Sequence, residues 1–317
     1  MGGMCNQMVK TAFIFPGQGC QYVGMGRDLY ENFSESREIF DRAQDLLGWD
    51  IKRRCFEGPE DILKQTAIQQ PAIFTVSIAC LKAFDILHSA FTVIYTAGLS
   101  LGEYSALAAS KVLEFEEALK LVCKRAELME RATQKYPGKM AVVIGLDRDR
   151  VREICLDVGE VYIANLNCPG QIVISGKKEA IDKAKEAALE SRANRVIDLE
   201  VSGAFHSPFM QEAALEFRNI LNKENSFLEP LIPVVSNVSA RPTIKIEEIK
   251  ENLVRHLYSP VLWEDSVRFM ISEGVARFYE IGPGKVLRGL LKRISPEAEV
   301  INIEKREDIE GVMIDAA

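Results

Sequence analysis

The stretch Tyr95-Thr96-Ala97-Gly98-Leu99-Ser100-Leu101-Gly102-Glu103-Tyr104-Ser105 changes its hydrophobic period at one residue, Ser100. Upstream, Phe91 to Thr96 is β-branched and aromatic and reads as a strand; downstream, Glu103 to Ser110 is rich in Ala, Leu and Glu and reads as a helix. Gly98 and Gly102 flank the serine in the pattern G-x-S-x-G. On such a strand-to-helix turn the hydroxyl stands clear of the sheet, and the glycines let strand and helix pass without Cβ clashes. The helix then begins beneath the serine. Its free N–H groups, that of Leu101 first, point to where an oxyanion would form. An ordinary tight turn with a passive serine satisfies the same three positions, so the rest of the chain must supply the partners.

Around that turn lie 317 residues, 47% hydrophobic and 27% charged, enough for one large globular domain or two smaller ones. A net charge of -7 offers no concentrated basic surface for phosphate backbones, so nucleic acid is not an expected partner. The seven cysteines (Cys5, Cys20, Cys55, Cys80, Cys123, Cys155, Cys168) are scattered without a C-x-x-C pair. Neither a disulfide framework nor a zinc site is indicated, and a reducing, cytoplasmic compartment fits. No run of 18 apolar residues predicts a membrane span, and Met1 to Lys10 lacks the apolar core of a signal peptide. The opening Met-Gly-Gly has Asn6 where a myristoylation signal wants Ser or Thr.

Taken in order, residues 11 to 15 read as a buried strand running into Pro16-Gly17-Gln18-Gly19. A dinucleotide fingerprint fails there, because Tyr22 stands where the third glycine belongs. Residues 28 to 88 read as helical with breaks near Gly48 and Gly58-Pro59, and Pro71 to Leu87 as a buried helix. Glu116 to Gln134 is a further helix, and Arg125 is its anomaly: its helical neighbours Ala118, Leu121, Val122, Leu128, Met129 and Ala132 are all apolar. An arginine on a core-facing stripe needs an anion, either an internal carboxylate or an acid group on a substrate.

From Met140 the rhythm changes. A strand to Leu146, a helix capped by Asp147 to about Val158, two strands from Val161 to Ser175 around Asn167-Cys168-Pro169-Gly170, a helix from Lys177 to Arg192 and a strand from Arg195 to Val201 give the order β-α-β-β-α-β. This unit, residues 136–202, reads as a ferredoxin-like subdomain inserted into a discontinuous α/β large domain, residues 9–135 and 203–303, with a ligand cleft between them. Ser202-Gly203-Ala204-Phe205-His206-Ser207-Pro208 returns the chain to the large domain. Ser207 as N-cap and Pro208 as first-turn residue start a helix there and leave His206 on the turn, placed as a base or as a hydrogen-bonded loop histidine. The other two histidines, His88 and His256, read as structural. Ile232 to Val238 and Arg277 to Ile281 are strands, the latter ending at Gly282-Pro283-Gly284 before a helix with Lys285, Arg288, Lys292 and Arg293. Residues 304–317 read as a peripheral acidic tail.

With Ser100, Arg125 and His206 together, the sequence resembles the malonyl-CoA:acyl carrier protein transacylases and the acyltransferase domains of fatty acid and polyketide synthases. The resemblance rests on Phe15-Pro16-Gly17-Gln18-Gly19, Gly98 to Tyr104, Arg125 and Met129, Asn165 to Gln171, Gly203 to Pro208, Val235-Ser236-Asn237-Val238 and Gly282 to Leu287. It covers nearly the whole chain and implies an α/β-hydrolase-like large domain with a parallel sheet. Two positions depart from the pattern: Leu99 stands where many members have histidine, and His256 where many have glutamine.

The resemblance implies ping-pong transfer of malonyl from malonyl-CoA to the phosphopantetheine thiol of acyl carrier protein, without metal or redox cofactor. His206 would deprotonate Ser100, the backbone N–H groups of Gln18 and Leu101 would hold the oxyanion, Arg125 the malonyl carboxylate, and the main-chain carbonyl of His256 would orient His206. Phe205, bulky and just before the histidine, implies malonyl rather than methylmalonyl. The Lys285, Arg288, Lys292 face would dock acyl carrier protein or coenzyme A phosphates, unless it is a solvated charged surface. A monomer is expected. The rivals are an acyl hydrolase or thioesterase of the same fold and a trans-acting polyketide synthase acyltransferase.

Overall fold

The apolar run after Lys10 forms β1 (Lys10–Phe15), buried from Thr11 onward, in a computed structural model that describes residues 9–85, 92–201 and 203–316. Phe13 and Phe15 pack on one side of the sheet and Ala12 and Ile14 on the other, the two-faced burial of a strand covered by helices. The helical region that follows is more broken than its sequence suggests. It comprises α1 (Arg27–Asn32), α2 (Ser34–Leu47), α3 (Ile51–Phe56), α4 (Glu60–Leu63) and α5 (Thr66–Phe84). Phe33, with extended dihedrals, both ends α1 and starts α2 without a side-chain cap, so no sequence signal marks that break.

α5 starts at Thr66 and carries Pro71 inside it rather than at its beginning. Its 19 residues are long and apolar enough to cross a membrane, yet the helix is buried within the protein, against α2 and beneath the elements that follow. An all-round apolar helix of this kind is a core helix. Leu87, His88 and Phe91 lie outside the described residues, as do Met1 to Met8 and Ser202.

Next come β2 (Thr92–Gly98), α6 (Gly102–Ala109) and α7 (Phe115–Lys135), then β3 (Lys139–Ile144), α8 (Arg148–Val158), β4 (Val161–Cys168), β5 (Gln171–Gly176), α9 (Lys178–Glu190) and β6 (Arg195–Asp198). Asp147 caps α8 as expected, accepting the Arg150 N–H at 2.8 Å. β3 to β6 form their own sheet in the order β4-β5-β3-β6, every neighbouring pair antiparallel, over the separate apolar core of Ile154, Ile172, Ile174 and Ile181.

A 3-10 turn at Pro208–Met210 leads into α10 (Gln211–Lys223). Ser207 does not cap it: the hydroxyl turns back and donates to the Ala204 carbonyl at 2.6 Å. β7 (Val234–Val235), β8 (Pro242–Thr243), α11 (Ile246–His256), α12 (Trp263–Ser272), β9 (Arg277–Ile281), α13 (Val286–Ile294), β10 (Glu299–Ile303) and α14 (Arg306–Ala316) complete the chain. β7 keeps two residues of the longer strand expected at 232 to 238, because Ser236 and Asn237 leave the ladder for other partners.

The large sheet has the order β10-β9-β1-β2-β7-β8, parallel throughout except for β8. From β1 the chain moves to β2 on one side and later to β9 on the other, so the order reverses at β1 and the carboxyl ends there face a crevice. Phe15 and Gly98 end β1 and β2 in register, which sends Pro16–Gln18 and Ser100 out side by side. The C-terminal segment is not peripheral. Ile309 and Val312 are buried, Glu304 accepts from the Tyr22 hydroxyl at 2.6 Å and the Gly284 N–H at 2.8 Å, and Asp28 accepts the Arg306 N–H.

Candidate active site

Ser100 stands between β2 and α6 with φ of 51°, a left-handed conformation that costs a non-glycine residue energy and marks functional turns. The close packing this needs is visible at Gly98, where an added Cβ would lie 1.9 Å from the carbonyl carbon of Gly102. A Cβ on Gly17 would lie 2.2 Å from the Leu99 carbonyl oxygen, so the loop after β1 rests directly on the elbow. Neither the Gln18 nor the Leu101 backbone N–H donates to a protein acceptor among the described residues. Two unengaged donors therefore lie where the loop meets the elbow.

His206 reaches the serine from the segment after the second sheet, its Nε2 2.8 Å from Ser100 Oγ. Its own φ is 57°. Nδ1 lies 2.8 Å from the His256 carbonyl, which can only accept, so Nδ1 carries the proton and Nε2 is the free base facing the hydroxyl. Burial, then the nearby Arg125 charge, push the His206 pKa down to about 3, against the pull of the His256 carbonyl. The ring is therefore neutral at physiological pH.

Arg125 has no solvent exposure. It donates through one terminal nitrogen to Gln70 Oε1 at 2.7 Å and through the other to Ser100 Oγ at 3.0 Å, and lies 5.7 Å from the centre of the Tyr104 ring. Among the described residues no carboxylate pairs with it, and its Nε–H has no acceptor. Gln18 braces this corner, its side chain bonded to Gln69 at 2.5 Å and Gln70 at 3.1 Å.

Phe205, buried, lines with Ser100 and His206 a cavity of about 230 Å³ between the two sheets; Gln18, Val286 and Leu290 border it on one side, Met140 and Val142 on the other. A larger cavity of about 550 Å³ runs beside α8 and touches His206 but not Ser100, so the serine and its base meet in the smaller one; Arg125 lies behind Ser100 and lines neither. Lys285, Arg288 and Lys292 are all exposed, although Lys292 Nζ already donates to the carbonyls of Pro296 and Ala298. Among the described residues no cluster of His, Cys, Asp and Glu is arranged to hold a metal.

Three site residues have no role in the sequence reading. Asn237 accepts the Ser100 N–H at 2.8 Å and donates to the Gly98 carbonyl at 2.6 Å, clamping the elbow from both ends. Glu103, buried on α6, accepts the Asn237 N–H at 3.1 Å. Gln70 holds Arg125. The first two fall within the quoted blocks, and that was their only signal; Gln70 had none, since an amide on an apolar helix carries no pattern of its own.

A strained serine facing a cavity, a neutral histidine base, unengaged backbone donors and a buried cation beside the serine oxygen make an acyl-transfer site on an α/β sheet. The family model described as "Acyl transferase domain" matches residues 12–307. A "Malonyl CoA-acyl carrier protein transacylase" from Bacillus subtilis is 44% identical over 307 residues, 96% of each chain. A solved acyl-carrier-protein S-malonyltransferase from Bartonella henselae superposes with a TM-score of 0.93 at 38% identity, over 97% of this chain and 99% of that one. A malonyl-transacylase solved in complex with its type II polyketide acyl-carrier protein gives 0.92 at 36% identity, over 96% and 99%. The chain belongs to the acyltransferase family, among the malonyl CoA-acyl carrier protein transacylases.

Proposed function

We propose that this protein transfers the malonyl group of malonyl-CoA to the phosphopantetheine thiol of an acyl carrier protein, by a ping-pong route through a malonyl ester on Ser100. The observation that carries the reading is Arg125: a fully buried guanidinium, 3.0 Å from the serine oxygen, held by neutral groups and with an unused N–H. Glu103 acts on this charge only through space, so the bonded carboxylate that Arg125 lacks is one that arrives with the substrate. Family membership supports the same substrate.

In this mechanism His206 Nε2 takes the hydroxyl proton as Ser100 Oγ attacks the thioester carbonyl. The oxyanion lies against the Gln18 and Leu101 N–H groups, and coenzyme A leaves with the proton from His206. The carrier thiol enters, gives its proton to His206 and takes the acyl group by the reverse steps. Arg125 depresses His206 while the site is empty. A malonyl carboxylate on Arg125 offsets that effect, so the base strengthens when the right substrate is bound. Phe205, against the base, narrows the pocket toward malonyl.

We read residues 9–135 and 203–303 as a hydrolase-like domain and 136–202 as a ferredoxin-like insert, supported by the β4-β5-β3-β6 order. The partner is acyl carrier protein of fatty acid or polyketide synthesis. The six described cysteines are unpaired thiols, which fits a reducing compartment. Incubation with radiolabelled malonyl-CoA should label the protein at Ser100 and pass the label to added carrier protein, and Ser100→Ala should abolish both. Label released to water at the same rate with and without carrier would instead identify a hydrolase.

A further inference from the structure

Of the three buried carboxylates among the described residues, two have structural employment: Glu280 accepts the Leu287 and Arg288 N–H groups at the start of α13, and Glu304 fastens the C-terminal segment. Glu103 is the third, and it sits behind the catalytic pair, against the residues that hold each member of it. Its Oε2 accepts the Asn237 N–H at 3.1 Å, and Asn237 in turn holds the Ser100 N–H and the Gly98 carbonyl. The same oxygen lies 3.4 Å from Nδ1 of His256. His256 gives its carbonyl to His206, and its ring stacks on the His206 ring with centroids 5.1 Å apart. One carboxylate oxygen thus bonds the residue that clamps Ser100 and lies beside the ring of the residue whose carbonyl orients His206.

The charge balance gives this arrangement a second role. When His206 takes the serine proton it becomes an imidazolium in a dry site that already holds the Arg125 cation. His256 cannot help, because burial, with His206 and Arg125 nearby, keeps its own ring well below the ordinary histidine range. The groups facing Glu103 are Arg125 from α7, His256 from α11, Ser236 and the Asn237 backbone from the segment after β7, and Tyr104 on its own helix.

Resting on the transferase reading, we propose that Glu103 is a positioning residue: through Asn237 and His256 it fixes Ser100 against His206, and its ionised carboxylate offsets the imidazolium formed during transfer. The histidine at 256 makes this sharper in the present chain, since its neutral ring sets a polar nitrogen 3.4 Å from Glu103. Burial raises the Glu103 pKa from 4.5 to about 7, against the lowering effects of Asn237, Ser236 and Arg125. Transfer therefore gains an acid limb near neutrality that belongs to Glu103, well above the titration of His206 itself.

The test is Glu103→Gln, which keeps an oxygen for the Asn237 N–H and removes the charge. Malonyl transfer is measured from pH 5 to 9 in the wild type and the variant, with thermal midpoints. The expected result is a kcat lowered roughly 10- to 100-fold above neutrality, KM for malonyl-CoA nearly unchanged, and the acid limb near neutrality gone. A wild-type kcat in the variant, or a loss equal at every pH with the limb unmoved, overturns the proposal. Should Glu103→Gln not fold, Glu103→Asp retains the charge on a shorter arm: a displaced limb supports the proposal and an unmoved one overturns it. Acylation of Ser100 by labelled malonyl-CoA in the wild type is recorded alongside, so a failed transferase reading shows there and is not confused with a failed role for Glu103.

Discussion

Arg125 is where a single side chain decides between chemistries. Its helical neighbours are apolar, as the α7 sequence shows, and its polar contacts are a glutamine and the serine nucleophile. Arg125→Ala leaves a malonyl carboxylate to enter uncompensated, at a cost of roughly 2 to 5 kcal/mol, and malonyl transfer should fall by about 30-fold or more. Acetyl-CoA carries no such charge, so acetyl transfer should fall much less. No internal carboxylate is stranded by the change among the described residues, so the thermal midpoint should not collapse. Equal loss of both acyl activities in a destabilised protein would remove Arg125 from substrate recognition.

α13 links the surface to the cavity. Val286 and Leu290 line the cavity while Lys285, Arg288 and Lys292 face solvent, so one helix offers an apolar side to the acyl path and a basic side outside it. Glu280 takes the first N–H groups of the helix at 2.9 and 2.8 Å, fixing its start. If the basic side meets an acidic carrier protein, Lys285→Glu with Lys292→Glu should raise the apparent KM for carrier protein by about tenfold at low salt and leave hydrolysis of the acyl-enzyme unchanged. An unaltered KM at low ionic strength would mark the face as solvated surface. Lys292 already donates to two carbonyls, so Lys285 should carry the larger share.

Across the whole molecule, buried titratable groups set how stability follows pH. His206 is depressed to about 3 and His256 well below its ordinary 6.5, so below pH 6.5 the unfolded chain binds protons that the native state refuses, and stability is lost on acidification. Glu103 and Glu280 are raised from 4.5 to about 7, so from pH 4.5 to 7 the native state keeps protons the unfolded chain has released, and stability is lost as pH rises. The two effects oppose each other between 4.5 and 6.5; below that the histidines act together with ion-paired carboxylates such as Glu116 and Glu251, which Arg42 and Arg218 hold below the usual carboxylate range. The thermal midpoint should thus change little over the middle window and drop steeply below about pH 4.5. His256→Gln removes one of the two histidines and should shift the acid drop to lower pH; a midpoint falling evenly from pH 6.5 downward in both proteins would contradict this assignment.

What is local in origin was legible in the order of residues. The change of period across Ser100 gave strand, turn and helix; the apolar stripe of α7 singled out Arg125; and β-α-β-β-α-β between Met140 and Val201 marked a second unit. Each depends on side-chain spacing within one or two elements, which the chain carries without folding. Contacts between distant segments account for the rest. Glu103 meets Asn237 across 134 residues and Asn237 meets Ser100 across 137, and no local pattern encodes such pairs. Ile309 and Val312 were hidden among acidic residues, and only the surface they pack against makes α14 part of the core. Ser207 had the right identity for a cap, but the Ala204 carbonyl competed for its hydroxyl. The sequence could name a serine, a histidine and an arginine; their spacing to within a hydrogen bond came from the crevice where β1 and β2 end, because only there do segments so far apart in the chain approach one another.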